Sequence, residues 1–191
     1  MRRAIVCPTY QCNMETKLCN IFPSETVKVE WRTMDDERGV YSPRLDIAVG
    51  PFATDRNCIQ EYDHLSNIHR SFLSVLYDYH ISNIRDSVDE QSESFDRVMK
   101  RKSNARCFLA IEIENKVSNK HLMGGAINAA ALGRIGIIIG WDDSVLKKII
   151  RMRNYLRFLS NVGKNSFDTA NLLVLNAGQF ENILTNQNGN L

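Results

Sequence analysis

The sequence predicts a single α/β domain over residues 1–191, built on a mixed central β-sheet flanked by helices. In the second half of the chain, short apolar runs typical of buried strands alternate with segments of helical periodicity. Near residue 46, two successive strand-like segments predict an antiparallel hairpin. At 191 residues, with 43% hydrophobic and 24% charged residues, the chain has the size and composition of one globular domain.

The first part of the chain predicts the hairpin. Residues 27–31 alternate apolar and polar side chains, which indicates a strand, and a short helix over 15–22 is compatible with the sequence before it. Residues 35–39 have the composition of a turn. A second strand follows at 45–49, and the Gly-Pro pair at 50–51 ends it, because a central strand does not continue through proline.

A long helix and a polar segment come next. Residues 59–84 carry apolar side chains at three- and four-residue spacing, Leu65 and Phe72 among them, which predicts one helix. Residues 82–106 are polar and charged, and we expect them to form a loop or insertion with a short helix near 95–100.

The second half alternates strands and helices, which predicts right-handed crossovers and parallel strand pairing. Its helix over 120–132 is rich in glycine and alanine, so it should pack closely on the sheet. The predicted elements are a strand at 107–114, the helix at 120–132, a strand at 135–140, a helix capped by residues 142–144, a strand at 172–175, a helix at 179–184 and a frayed tail at 186–191.

Composition excludes several classes of protein. The net charge of +2 decides nothing by itself, since an enzyme can combine a basic face with an acidic metal site. Five cysteines, an odd number without a Cys-x-x-Cys pair, argue against a disulfide framework and a zinc knuckle. The apolar stretches are shorter than the core of a signal peptide or a membrane span. We therefore expect a cytoplasmic protein with reduced thiols and without membrane association.

Acidic side chains in strand-like surroundings are the main indication of chemistry. Side chains alternate between the faces of a strand, so Glu112, Glu114 and, if the strand continues, Lys116 point to the same side. Asp46 lies in the apolar strand at 45–49. Burying such carboxylates is unfavourable unless they meet a metal or one another. Oxygen ligands of this kind suit Mg²⁺ or Mn²⁺, and a lysine beside the metal would stabilise charge on a phosphate.

These residues resemble the motif of the PD-(D/E)xK, or restriction-endonuclease-like, nucleases. In that family an acid on one strand pairs with an acid-x-lysine on the next, and the two acids hold the metal. The segments SPRLD at 42–46 and CFLAIEIENK at 107–116 correspond to the motif, and the resemblance covers residues 41–141. It implies a restriction-endonuclease-like core over 41–176. The catalytic residues that it implies are Asp46, Glu112, Glu114 and Lys116, of which the three acids would bind Mg²⁺ or Mn²⁺.

Two placements of the motif fit the sequence. In the first, residues 114–116 form the acid-x-lysine. In the second, residues 112–114 take those positions and a glutamate replaces the lysine. Strand alternation favours the second placement, because the residue between the two glutamates would then be buried. Asp46 and Glu114 belong to the site in both. The proline of the motif is displaced, since Pro43 lies three residues before the first acid instead of beside it.

Basic residues near these acids are candidates for contacts to nucleic acid. Lys120 and His121 begin the helix after the acidic strand, and a helix N-terminus favours a phosphate. The helix after residue 142 carries basic side chains between Lys147 and Arg157, including Arg153, which we expect away from its apolar stripe and near phosphates. The candidates for nucleic-acid binding are Arg44, Lys120, His121, Arg151 and Arg157.

The sequence supports three hypotheses. The first is a metal-dependent DNA endonuclease that hydrolyses phosphodiester bonds, which the resemblance links to restriction, defence or repair and to homodimers. The alternative is a catalytically inactive protein of the nuclease fold that binds nucleic acid or a partner protein. The third is an interaction domain whose acids form surface salt bridges. This third hypothesis predicts that Asp46 and Glu114 lie far apart, whereas the other two place them around a shared metal position. DNA versus RNA and endonuclease versus exonuclease action stay open.

Overall fold

The computed structural model describes residues 8–34, 39, 41–85, 93–115, 118–164 and 167–188. Within these ranges the chain forms seven helices and five strands. In chain order they are α1 (Pro8–Ile21), β1 (Val27–Arg32), β2 (Arg44–Val49), α2 (Ile59–Ile68), α3 (Arg70–Ile84), α4 (Phe95–Lys100), β3 (Cys107–Glu114), α5 (Asn119–Leu132), β4 (Gly133–Gly140), α6 (Asp143–Asn161), β5 (Leu172–Asn176) and α7 (Ala177–Asn188).

The five strands form one mixed sheet in the order β1-β2-β3-β4-β5. β2 is antiparallel to both of its neighbours, and β3, β4 and β5 are parallel to one another. The predicted α/β class, with a mixed sheet flanked by helices, is therefore confirmed. This topology brings the carboxyl ends of β3, β4 and β5 to the same side of the sheet as the beginning of β2. We call this side the carboxyl edge.

Helices cover both faces of the sheet. On the first face, α1, α2, α3 and α7 share a core with alternate strand residues such as Ile47, Ile111 and Ile137. On the second face, α5 and α6 pack over residues of the opposite parity, including Ile138 and Val174. Every residue of β3 and β4 is buried, as expected for strands covered on both sides.

Small residues let α5 lie very close to the sheet, as the sequence predicted. A Cβ added at Gly136 of β4 would lie 2.7 Å from the backbone carbonyl atoms of Ala129, a contact too short for any side chain. Ala126, Ala129 and Ala130 of α5 are fully buried against the sheet. The close approach brings the backbone of α5 next to the acidic end of β3.

Several predicted elements have different bounds in the structure, among them the helix predicted over 15–22, which is α1. The single helix predicted over 59–84 is wrong, because the helix breaks at His69, where the backbone leaves helical geometry before α3 begins. The apolar spacing continues through the break, so periodicity could not reveal it. The polar segment predicted over 82–106 begins inside α3, and its predicted short helix is confirmed as α4, while residues 86–92 lie outside the described ones. The tail predicted to fray from 186 is helical to Asn188.

α6 is nineteen residues long and begins as predicted. The Asp142 carboxylate accepts hydrogen bonds from the backbone N–H groups of Ser144 and Val145, at 2.8 and 3.0 Å. These bonds satisfy amides that have no partner inside the helix and lower the pKa of this carboxyl. Of the helices in the described ranges, none combines the length and the apolar character that crossing a membrane requires.

Candidate functional site

The first acid of the motif is tied to the strand that carries the other two. The ladder between β2 and β3 reaches the pair of Ile47 and Ile111. Beyond this pair, towards the carboxyl end of β3, the backbone N–H of Ile113 donates to Oδ2 of Asp46 at 2.7 Å. Ile113 is the residue between the two glutamates of β3. A side-chain hydrogen bond therefore holds the carboxylate of β2 at the acidic end of β3.

All three acids are buried. Asp46 is 7% exposed, Glu112 1% and Glu114 8%. Glu112 and Glu114 alternate with Ile111 and Ile113 of the first-face core, so these two glutamates lie on the second face of the sheet, the face that α5 covers. Surface salt bridges would need exposed acids, so the burial of all three argues against the interaction-domain hypothesis. Carboxylates in such a position require hydrogen bonds or a cation to offset the loss of solvent.

α5 shapes the space around the two glutamates. A Cβ added at Gly125 would lie 2.5 Å from Oε1 of Glu114 and 3.6 Å from the Cβ of Glu112. The glycine therefore leaves room in which the Glu114 carboxylate lies against the helix. Three residues later on the same side of the helix, Asn128 donates from Nδ2 to Oε1 of Glu112 at 3.4 Å. The helix thus contacts both glutamates. Gly125 leaves room beside the Glu114 carboxylate, and Asn128 makes a long hydrogen bond to Glu112.

The donor set suits a hard divalent cation. Carboxylate oxygens are the preferred ligands of Mg²⁺, which binds through one or two carboxylates together with waters and substrate phosphates. Among the residues that the structure describes, no three His, Cys, Asp or Glu side chains are grouped closely enough to hold a metal ion by themselves. A metal at this position would therefore rest on two of the acids and on ligands from solvent or substrate.

Lys116, the fourth predicted catalytic residue, lies outside the described residues. β3 extends through Glu114, and Asn115 is exposed and no longer in the strand. Ile113 is buried in the core of the first face, as the placement of the motif on residues 112–114 requires. The alternative placement on 114–116 stays open.

Glu30 is a neighbour of the site that the sequence analysis missed. In the β1–β2 register it falls opposite Asp46, between the pairs formed by its two neighbours. Its φ is 52°, a left-handed conformation that is unfavourable for a residue with a side chain. Val29 packs with the core of the first face, whereas Trp31 packs with the second. The side chains on either side of Glu30 therefore point to opposite faces of the sheet, and the regular alternation of apolar and polar residues does not indicate this change.

Arg44, predicted to contact nucleic acid, is engaged with Glu30. Its Nη1 lies 2.8 Å from Oε2 of Glu30, and Gln11 of α1 donates to the other oxygen at 3.3 Å. The Arg44 side chain is still 39% exposed, so a phosphate could approach it. Its role in binding stays a prediction.

An aromatic pair lies beside the acidic end of β3. The backbone N–H of Trp141 donates to the carbonyl oxygen of Glu114 at 2.9 Å, and the indole remains partly exposed. The ring of Tyr10 meets it edge-on, with centroids 5.1 Å apart. The Tyr10 hydroxyl donates to the carbonyl of Ala177, and burial, followed by the charge of Glu181, raises its pKa to about 12. In the sequence Trp141 is only the last residue of an apolar run, which did not indicate a pair with Tyr10.

The remaining basic candidates lie on α5 and α6. Lys120 and His121 are exposed on the first turn of α5, which begins at the carboxyl edge. Arg151 is exposed in the middle of α6, and Arg157 is half-buried further along. Arg153 was expected on the solvated side of this helix and is instead buried at 3% exposure. In the sequence Arg153 is one of several basic residues of this helix, so its charge could not predict its burial.

Comparisons of this chain with protein-family models, with curated protein sequences and with solved structures gave no significant match. The resemblance to the PD-(D/E)xK nucleases therefore rests on the motif, and the support for a function comes from the geometry of the acids.

Proposed function

We propose that this chain is a metal-dependent nuclease that hydrolyses phosphodiester bonds in DNA. The observation that carries the proposal is the convergence of Asp46, Glu112 and Glu114. These acids come from two strands and are all buried, and the hydrogen bond from the Ile113 amide holds Asp46 at the strand that carries the two glutamates. The succession β2-β3-α5-β4 around them suits a restriction-endonuclease-like core.

Asp46 and Glu114, with Glu112 beside them, would hold Mg²⁺ or Mn²⁺. A bound divalent ion supplies positive charge to the scissile phosphate and activates water as the nucleophile. The chain contributes preorganisation, since the Ile113 amide fixes Asp46 and Gly125 leaves space for the Glu114 carboxylate. Lys116 is proposed to stabilise the negative charge that develops on the phosphate.

Groups for holding the substrate lie along the same carboxyl edge. Lys120 and His121 on the first turn of α5 would contact phosphates next to the scissile one, where the helix N-terminus adds favourable charge. Arg44 would do so from β2. The partly exposed Trp141 next to Glu114 offers a flat surface on which a base can stack.

The proposal extends to the setting of the protein. We place it in the cytoplasm, in restriction, defence or repair, and as a homodimer, because each subunit would then cut one strand of a duplex. The rival hypothesis is an inactive protein of the same fold that binds nucleic acid or a partner protein. Metal binding separates the two, since only the active protein needs a metal.

Calorimetric titration with Mn²⁺ tests the proposal without any assumption about sequence preference. We expect the wild type to bind Mn²⁺, and Asp46→Asn and Glu114→Gln to weaken binding by about tenfold or more, because each removes one charged ligand. Glu61→Gln is the matched control, because it neutralises an exposed acid on α2, away from the site. The same variants are then assayed for cleavage of plasmid DNA.

Mn²⁺ binding that survives both substitutions would place the metal elsewhere and refute the site. Metal binding without cleavage of DNA or RNA would contradict the proposed hydrolysis of phosphodiester bonds. If no Mn²⁺ binds to the free protein, the titration is repeated with an uncleavable phosphorothioate oligonucleotide present, since substrate phosphate can supply a ligand. Failure there as well overturns the proposal.

A further inference from the structure

A stripe of exposed apolar side chains runs along the outer side of α6. Tyr155 is 51% exposed, Phe158 60% and Val162, just after the helix, 48%. Their spacing of three and four residues places them on one side of the helix. The buried stripe of the same helix, which includes Ile149 and Leu156, faces the sheet. α6 therefore presents a second apolar side to solvent, which is unusual for large aromatic side chains.

The same side of α6 is basic. Lys147 and Arg151 are exposed and precede Tyr155 at four-residue intervals, so cations and aromatics form one continuous row. No Asp or Glu occurs from Ser144 to Phe167 in the sequence. The cations in this stretch are Lys147, Lys148, Arg151, Arg153, Arg157 and Lys164. The exposed cations Lys147 and Arg151 therefore give this side of α6 a positive charge next to its exposed rings.

We propose that this surface, the row Lys147–Arg151–Tyr155–Phe158–Val162, binds single-stranded nucleic acid. Lys147 and Arg151 would pair with phosphates, and Tyr155 and Phe158 would stack on unpaired bases. This combination of positive charge along the backbone and aromatic rings for the bases is the usual basis of single-strand binding. The inference goes beyond the proposed cleavage reaction, because binding at α6 requires neither the metal nor the acids.

The chemistry of the row disfavours other occupants. A duplex offers phosphates to the cations but keeps its bases stacked in pairs, so the two rings would stay in water. Lysine is depleted at protein interfaces, whereas here Lys147 continues the aromatic row. An unpaired strand offers phosphates to the cations and free base faces to the two aromatic rings. α6 begins at the carboxyl edge, so a strand bound along it runs towards the three acids.

Fluorescence anisotropy with labelled oligothymidylate in EDTA tests the proposal, since EDTA separates binding from metal-dependent cleavage. The double variant Tyr155→Ser/Phe158→Ser should weaken binding by about tenfold or more, because stacking on each ring is lost. Arg151→Gln should weaken it less and reduce its dependence on salt concentration. Tyr41→Ser is the matched control, because Tyr41 is 84% exposed and lies outside the row. Its binding should equal that of the wild type.

Circular dichroism and sedimentation of each variant accompany the titrations. Equal affinity of the wild type and the double variant would overturn the proposal, as would no binding at low salt. A double variant that loses self-association while binding oligothymidylate normally would assign the row to a dimer interface instead. Neither result depends on the Mn²⁺ titration, so failure of the nuclease proposal and failure of this one can be distinguished.

Discussion

Gly125 is the residue at which helix packing and the acidic site meet. It lies in a helix interior, where glycine is less favourable than alanine by about 1 kcal/mol. Its neighbour Gly124 is in the same helix but is exposed, and a Cβ there would have no atom within 4 Å. The Cβ of an alanine at 125 would instead meet Oε1 of Glu114 at 2.5 Å. That oxygen is the end of a flexible side chain, so the carboxylate can move while the helix stays.

We expect Gly125→Ala to keep or raise the free energy of unfolding and to weaken Mn²⁺ binding by about tenfold, because it displaces one carboxylate. Gly124→Ala should give the same gain in helix stability and leave Mn²⁺ binding unchanged. Thermal unfolding and calorimetry on the pair test this. Equal metal affinities in the two variants would show that the Glu114 carboxylate is no part of a metal site.

Single residues also show what the sequence could predict about the site. The alternation of 107–114 placed Glu112 and Glu114 on one side of a strand, and the apolar surroundings of Asp46 indicated its burial; both predictions are confirmed. Glu30 could not be found in this way. Its strand looked regularly alternating, and the left-handed backbone that disturbs it depends on the pairing of β1 with β2.

At the scale of elements, the outer side of β5 is closed by side chains. The sheet of the described residues ends at β5, so its outer backbone groups have no strand partner. Nδ1 of His80 accepts a hydrogen bond from the Val174 N–H at 3.0 Å, and Asn83 donates to the Val174 carbonyl at 2.9 Å. α3 thus satisfies the edge, which would otherwise be a template for another strand.

The His80 bond requires a neutral imidazole. Burial, followed by the charges of Arg153 and Arg157, holds the pKa of His80 well below its usual range. The unfolded chain binds a proton near pH 6.5 and the folded chain does not, so stability is lost as the pH falls below about 6.5, towards the folded pKa. The slope from one such group is at most about 1.4 kcal/mol per pH unit.

Denaturant titrations of the wild type and His80→Gln between neutral and mildly acidic pH should show this dependence. We expect the free energy of unfolding to fall more steeply with decreasing pH in the wild type, because glutamine can accept the same bond without titrating. Asn67→Gln, at an exposed residue of α2 that does not titrate, should keep the wild-type slope. If the free energies of unfolding of the wild type and His80→Gln fall equally with decreasing pH, the assignment of a buried neutral imidazole to His80 is contradicted.

Helices and strands were predicted well where local sequence patterns determine them. They were predicted poorly where tertiary packing determines them. The strands at 107–114 and 135–140 and the cap at Asp142 were found because apolar runs and capping residues are local signals. The break at His69 was missed because α2 and α3 use one continuous apolar pattern to reach the same core.

At the scale of the whole molecule, strand polarity decides where the acids meet. The sequence predicted parallel pairing after residue 107 and an antiparallel hairpin before it, and both are confirmed. It did not show that β2 pairs with β3, since the two strands are separated by three helices. That pairing is non-local, and it is what brings Asp46 to the glutamates.

A metal that binds only the folded protein must stabilise the whole molecule. At a Mn²⁺ concentration about a hundredfold above the dissociation constant, the gain is about 2.7 kcal/mol. For a chain of this size each kcal/mol shifts the Tm by about 2–4 °C, so we expect the wild-type Tm to rise by roughly 5–10 °C. Glu61→Gln should show the same rise, and Asp46→Asn and Glu114→Gln almost none.

The order of the variants should also reverse when the metal is removed. In EDTA the wild type keeps two buried glutamates, Glu112 and Glu114, on the same side of β3, and Glu114→Gln removes one of these like charges, so its Tm should equal or exceed that of the wild type. In Mn²⁺ the wild type should be the more stable of the two. Differential scanning fluorimetry of both proteins in the two buffers measures the crossing. A Glu114→Gln variant that is less stable than the wild type by the same margin in both buffers would show that Glu114 supports the fold and takes no part in binding a metal.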